Sequence, residues 1–227
     1  MSAAGSESQT PTPRLPGRPR LSDAQEEAIR ADLVAVAREL FATEGYQSVS
    51  MRRIAERAGC AAPSLYRYFA SKWELLRFVW NDVLEDAFVA CDRAVVGVDD
   101  PLEHLRAYLL AYGRHWLANP ELYSVIFTIQ DRLLARGDRY FVEWPGAIER
   151  FAHLAVLVRR CMDAGRIARS DAELVAKACF CTLQGLVGTT ITIPELPWGS
   201  RDAVLECGVD LLFRGLVCEA GTNRGKG

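Results

Sequence analysis

Apolar residues recur every three or four positions at Ile29, Leu33, Val36, Ala37, Leu40 and Phe41, which places them on one face of a helix. Ser22 with Gln25 has the form of a capping box at its start, and Gly45 closes it. Ser50 precedes a second helix running to Ala58, and a short third helix is predicted over Ala62–Tyr68. Ser71 and Glu74 form another capping box, opening a long helix to about Val96. Pro101 starts a helix ending near Ala118, and Pro120 starts one to about Leu134. A longer helix is predicted from about Arg139 to Ala164, stopped by Gly165 and bent or split by Pro145. Ser170 caps a helix over about 171–192, Pro194 and Pro197 break the chain, and the last helix spans about 201–218. There is no alternating strand pattern and no internal repeat, so the fold class is all-α.

Residues 45–76, GYQSVSMRRIAERAGCAAPSLYRYFASKWELL, read as a helix-turn-helix with a further helix behind it. Ala55 is small enough for a helix crossing, Gly59 can take a left-handed turn at no steric cost, and Leu65 plugs the core. Ile54 and Ala58 face the same core, and Cys60 adds a small contact beyond the turn. Such a unit can offer its second helix to a DNA major groove.

Charge sharpens this picture. The 227 residues carry a net charge of −2, with 50% hydrophobic and 25% charged residues, as ordinary soluble proteins do. That excludes a protein that coats nucleic acid throughout, yet the distribution is uneven. Residues 1–80 hold 11 Lys/Arg against 9 Asp/Glu, and the remainder holds 16 against 20. Within 45–80 the cations are Arg52, Arg53, Arg57, Arg67, Lys72 and Arg77, against Glu56 and Glu74. A basic front on an acidic body fits a DNA-binding head.

Helix three is the candidate recognition helix, exposing Ala61, Ala62, Pro63, Ser64, Arg67 and Tyr68. Arg67 is the best single candidate for a base or phosphate contact, since a guanidinium pairs bidentately with guanine. The hydroxyls of Ser64 and Tyr66 suit phosphate oxygens, and Lys72, Arg52 and Arg53 can reach the backbone. One of Tyr66 and Tyr68 is expected to pack inward instead. Residues 1–20 are rich in Ser, Thr, Pro and Gly and read as a disordered basic arm, and 221–227 as a disordered tail. Arg18 and Arg20 in LPGRPRL either enter an AT-rich minor groove or add only non-specific attraction to phosphate.

The seven cysteines are odd in number and lack CxxC or Cys/His ligand spacing, so reduced thiols of a cytoplasmic protein without metal or other cofactor are expected. The N-terminus lacks the apolar run of a signal peptide, and no association with a membrane is expected.

The run LFATEGYQSVSMRRIAERAGCAAPSLYRYFASKWELL closely resembles the DNA-binding domain of TetR-type (tetracycline-repressor-like) transcriptional regulators. The matching pieces span about residues 25–77: Leu40-Phe41, Gly45-Tyr46, Ser50-Met51, Ile54-Ala55, Ala58-Gly59, Leu65-Tyr66, Tyr68-Phe69 and Ser71-Lys72, with Leu75-Leu76 behind. Ala61 departs from the pattern, where a serine or other capping residue is common, and a phosphate contact there is put in doubt. The resemblance implies a helix-turn-helix DNA-binding domain at 21–70 and a helical ligand-binding and dimerisation domain at 71–220. It further implies a homodimer on a palindromic double-stranded DNA operator, most often a repressor, released by a small molecule. The last two helices would form a four-helix bundle between subunits. Gly185, Gly188, Thr189 and Thr190 on one, with Val204, Leu205, Leu211, Leu212, Phe213 and Leu216 on the other, are compatible with that and equally with internal packing.

For the small molecule, Trp116, Phe127 and Trp144 are the first candidates, with Tyr112, Phe151 and Gln184, as aromatic or polar residues inside a helical body. Plain core is the competing role for each. Two other functions stay open: a constitutive architectural DNA-binding protein without effector, and an all-α enzyme or carrier with a DNA-binding head. Against catalysis, the sequence offers no paired carboxylates in an apolar setting and no nucleophile beside a base.

Overall fold

The computed structural model describes residues 22–128 and 145–217. The arm with Arg18 and Arg20, the tail, Cys218 and Trp144 lie outside the described residues, as do the predicted stretches 128–134 and 139–144 in part or whole. Nine helices follow in order among the described residues: α1 (Asp23–Glu44), α2 (Met51–Arg57), α3 (Ala62–Tyr68), α4 (Lys72–Ala94), α5 (Pro101–Ala118), α6 (Pro120–Phe127), α7 (Pro145–Asp163), α8 (Ala172–Thr192) and α9 (Arg201–Leu216). A lone bridge between Ile167 and Val217 is the one extended pairing among them.

Most helix ends fall where a side chain can satisfy the orphan backbone groups. Ser22 and Gln25 close a reciprocal capping box on α1. At α4 the expected box is only half formed: the Ser71 hydroxyl accepts from the Glu74 N–H, while the Glu74 carboxylate turns back to accept from Ala70 N at 2.6 Å. The cap of α8 is Asp171 rather than Ser170, because its carboxylate accepts from both Glu173 N and Leu174 N. Two acceptor bonds from an anion at a helix N-terminus outweigh what one hydroxyl offers.

One continuous apolar cluster runs from Leu33 in α1 to Phe213 in α9. Helix α4 carries it from front to back, burying Leu75, Leu76, Val79 and Trp80 beneath α1–α3 and Val83, Leu84, Ala87 and Phe88 beneath the body. Trp80 also donates its indole N–H to the Val125 carbonyl of α6 at 2.7 Å, a buried polar tie between head and body. Helix α5 is the body's hub and packs on α4, α6, α7, α8 and α9. Gly113 lets α9 come close: a β-carbon there would stand 2.6 Å from Leu205 Cδ1.

Helix α8 is long and apolar enough, by length and composition, to cross a membrane, yet only 28% of that stretch is buried. Its outer face shows Leu174 at 64% exposure, followed by Ala178, Cys181, Gly185 and Thr189, and α9 beside it shows Leu211 at 62%. Gly188 and Thr190 do not join that face. A β-carbon on Gly188 would meet the Tyr123 hydroxyl at 2.5 Å, and Thr190 is buried with its hydroxyl donating to the Val187 carbonyl. Leu205 and Phe213 are likewise internal. Of the residues expected to allow contact between subunits, these four are occupied by packing within the chain.

Candidate nucleic-acid interface and ligand cavity

Three groups hold the short helices of the head in place. The α2–α3 turn is a Schellman ending: Gly59 takes φ +67°, its N–H donates to Glu56 O at 3.2 Å, and Cys60 N donates to Ala55 O at 2.9 Å. Buried Ile54, Ala55, Leu65 and Phe69 lock α2 against α3 from below. Arg30 of α1 then reaches the C-terminal end of α3, donating to the Tyr68 carbonyl at 3.2 Å while its guanidinium lies over Phe69 and Phe78. A cation at a helix C-terminus meets the negative end of the dipole, so Arg30 orients α3. Sequence reasoning missed Arg30, whose one signal is its place on the α1 stripe three and four residues before Leu33 and Val34.

Lys72 has a positioning role too. Its ammonium donates to Tyr46 O at 2.8 Å and Val49 O at 2.9 Å and sits 4.1 Å from the Tyr46 ring centroid. These bonds pin the α1–α2 connection to the first turn of α4. A phosphate contact by Lys72, as expected from the sequence, would have to share the ammonium with these two carbonyls.

The outward face of α3 shows Ala61, Pro63, Tyr66 and Arg67 to solvent, with Ala62 and Ser64 half-buried. Tyr66 is exposed and Tyr68 packs on the core, which divides the two tyrosines. Ala61 supplies no side-chain cap, as its chemistry requires. The arginines of α2 are all ion-paired: Arg52 with Glu56 at 3.0 Å, Arg53 with Glu44 at 2.8 Å and Arg57 with Glu39 at 2.8 Å. Hydrogen bonding to Arg53 holds the Glu44 carboxyl below its ordinary pKa. Exposed pairs of this kind contribute little to stability, so Arg52 and Arg53 can exchange a carboxylate for a phosphate. Arg67 has no carboxylate partner among the described residues. The face therefore offers one unneutralised guanidinium on α3, flanked by two arginines that are released cheaply.

Residues 33–79 match the sequence profile of the family described as bacterial regulatory proteins, tetR family. That match runs from Leu33 of α1 through the helix-turn-helix to Val79 of α4. The chain is 32% identical over 98 residues to the HTH-type transcriptional activator FasR of Mycolicibacterium smegmatis, covering 43% of this chain and 45% of that protein. It is 33% identical over 82 residues to the HTH-type transcriptional repressor KstR2 of Mycobacterium tuberculosis, covering 36% of this chain and 41% of that protein. The chain thus spans less than half the length of these curated relatives. A TetR-family transcriptional regulator from Pectobacterium atrosepticum has a similar structure, with a TM-score of 0.68, 24% identity, and coverage of 88% of this chain and 99% of that one. That likeness extends the fold, though not the function, through the body.

Inside the body lies a cavity between α4, α5, α6, α7 and α8. The rings of Phe88, Tyr108, Tyr112, Phe127, Phe151 and Phe180 line it, and its free volume is ≈ 40 Å³. Of the residues anticipated for a ligand, Tyr112, Phe127 and Phe151 are at its wall. Trp116 is wholly buried and stacks edge-on behind Tyr112 and Phe127, so it shapes the wall without lining it. Gln184 does not line the cavity either, although its Oε1 is buried without a partner. Sequence reasoning missed Arg150, whose guanidinium lies over the Phe88 ring and reaches Asp92 at 2.8 Å and Glu85 at 3.2 Å. Tyr108 lines the wall as well. It is 3% exposed and its hydroxyl has no hydrogen-bond partner.

Helix α4 joins the two sites by arginine clamps on one stripe of acids. Arg38 of α1 holds Asp82 and Asp86 at 2.6 Å each, and Arg150 of α7 holds Glu85 and Asp92. Burial would lower the Arg38 pKa, but its hydrogen bonds to Asp86 and Asp82 raise it above the ordinary value. No group of His, Cys, Asp and Glu suited to a metal occurs among the described residues. The thiols of Cys91 and Cys179 are pushed up by burial, to about 12 and about 11, which makes them inert.

Proposed function

We propose that this chain is a ligand-responsive DNA-binding transcriptional regulator that acts as a homodimer on a palindromic operator, most often as a repressor. The observation that carries the reading is the uncompensated Arg67 on the solvent face of α3, inside a head that matches the family profile. Arg67 would read a base edge, with Ser64 and Tyr66 on phosphate oxygens and Arg52 and Arg53 flanking them. The relatives named above include an activator and a repressor, so their names do not fix the sign of regulation.

The exposed faces of α8 and α9 support dimerisation. Leu174, Ala178, Cys181, Gly185 and Thr189 form a smooth, weakly polar stripe, and Leu211 continues it on α9. A second copy would cover these residues symmetrically. Two recognition helices would then stand about one helical turn apart, ~34 Å, as successive major grooves require. A molecule entering the cavity would shift α7 and hence Arg150, which frees Glu85 and Asp92 of α4 from that clamp and changes the spacing of the recognition helices. The small free volume of the cavity favours one rival, a constitutive DNA binder without effector. Selection of bound sequences from random duplex DNA tests both readings. Enriched two-fold-symmetric sites bound by two chains, with binding lost in the presence of small-molecule extract, fit the regulator. Symmetric sites indifferent to every extract fit the rival. A single chain that retains no duplex at low salt sinks both.

A further inference from the structure

Resting on the reading of the cavity as the effector site, we infer that it takes an uncharged, mainly apolar molecule bearing one hydrogen-bond acceptor, a ketone- or ester-type carbonyl oxygen that receives the Tyr108 hydroxyl. Among the described residues the wall is aromatic and aliphatic apart from Arg150 and the tyrosine hydroxyls, so the bulk of the ligand must be apolar. Tyr108 supplies the exception. Its ring is at the wall and its hydroxyl is enclosed without a partner, so a ligand reaches that hydroxyl only once a neighbouring side chain has moved. An unpaired buried donor is costly, and the group that relieves it best is one that only accepts. A ligand hydroxyl that donated to Tyr108 would leave the phenolic proton stranded, whereas a carbonyl leaves nothing unpaired. Burial raises the Tyr108 pKa well above its ordinary value, so the proton stays on the oxygen at any working pH.

The charges at the cavity exclude the obvious alternative, a carboxylate. Arg150 is the cation at the wall, and it already faces two carboxylates, Glu85 and Asp92. An anionic head would have to displace one of them and then lie beside the other. A cationic head would meet Arg150 itself. A neutral head meets neither penalty. The ≈ 40 Å³ of free volume does not admit even one substituted ring, so a side chain must move on binding. Phe151 is placed to do so: it is 39% exposed and rests edge-on against Phe180, with ring centroids 4.6 Å apart. The ligand therefore replaces the Phe151 ring against Phe180 rather than filling an existing void.

The test uses three probes of nearly equal shape, acetophenone, ethylbenzene and benzoate, titrated into the full-length protein by calorimetry or ligand-observed NMR. Acetophenone should bind about three- to tenfold tighter than ethylbenzene, the range one net hydrogen bond supplies, and benzoate no tighter than ethylbenzene. Tyr108→Phe should abolish the ketone's advantage and keep ethylbenzene binding unchanged. The same variant without ligand should melt no lower than the parent, because it removes an unsatisfied hydroxyl and leaves the ring packing intact. Tightest binding of benzoate, a ketone preference that survives Tyr108→Phe, or no binding of any probe overturns the inference. Binding to a selected DNA duplex, read by anisotropy, separates this from the regulatory reading. A Tyr108-dependent preference that leaves DNA affinity unchanged upholds the ligand chemistry and defeats the regulator.

Discussion

The head and the body treat their polar groups in opposite ways. In the head, arginines pair with carboxylates at the surface, and the two cations that turn inward, Arg30 and Lys72, end on backbone carbonyls. In the body, side-chain polar atoms are buried with nothing to meet, the Tyr108 hydroxyl, His115 Nε2 and Gln184 Oε1 among them. No such atom occurs among the described residues of α1–α4. A satisfied frame is rigid, and rigidity is what a groove-reading helix needs. An unsatisfied interior is an incomplete one, which a ligand can complete. The difference teaches where to look for each activity, and it can be broken by substitution.

The largest effect is expected from the head's core. Leu65 is fully buried under α3, and Leu65→Ala should cost about 2–5 kcal/mol of stability by chemical denaturation. Because the apolar cluster is continuous through α4, the loss should appear as one cooperative transition. A separate early transition of the head alone would show that the two regions are energetically independent. Next comes Arg67→Ala, which should weaken DNA binding by ~1–3 kcal/mol and relax preference at one base position, without changing the melting temperature. Unaltered affinity would remove Arg67 from the reading face.

Lys72→Ala sharpens the contrast between clamp and reader. The clamp reading expects about 1–3 kcal/mol of lost stability, since two carbonyls lose an ammonium donor, with the salt dependence of DNA binding retained. A phosphate contact would do the reverse, flattening the salt slope by about one unit while stability holds.

Helix boundaries were legible in the sequence because short-range chemistry sets them. Ser22, Ser50, Pro101, Pro120 and Gly165 each act within one turn, and α3 and α5 end where their residues require. The helix-turn-helix was legible for the same reason: Gly59 and Leu65 are constrained locally. What could not be read are the choices made by distant neighbours. Glu74 prefers Ala70 N to its own cap, and Lys72 finds the carbonyls of Tyr46 and Val49 more than twenty residues away. Gly188 is small for Tyr123 within the chain rather than for a partner. The cavity was visible only as an excess of aromatics, because a wall built from five helices has no linear signature.

The smallest expected effect separates the two regions by pH. Burial lowers the pKa of His115 and of His153 from 6.5, with Asp86 pulling His115 the other way and Arg38 reinforcing the shift. A base with a lowered folded pKa binds fewer protons folded than unfolded, so stability is complete above about 6.5 and falls as pH drops below it. Glu44 in the head has its pKa lowered from 4.5 by Arg53, and a carboxylate so placed loses its contribution only as pH falls below about 4.5. Asp100 and Asp202 in the body act in that same acid range, so the upper window belongs to the half-buried histidines. Between pH 7.5 and 5.5, urea midpoints should therefore decline with a shallow slope, and His115→Gln should reduce that slope while the fall below pH 4.5 is unchanged. A slope that His115→Gln and His153→Gln together leave intact would mean that the interior accepts protons elsewhere. The body's unpaired polar groups would then be better solvated than the cavity geometry requires, and the contrast with the head would lose its physical basis.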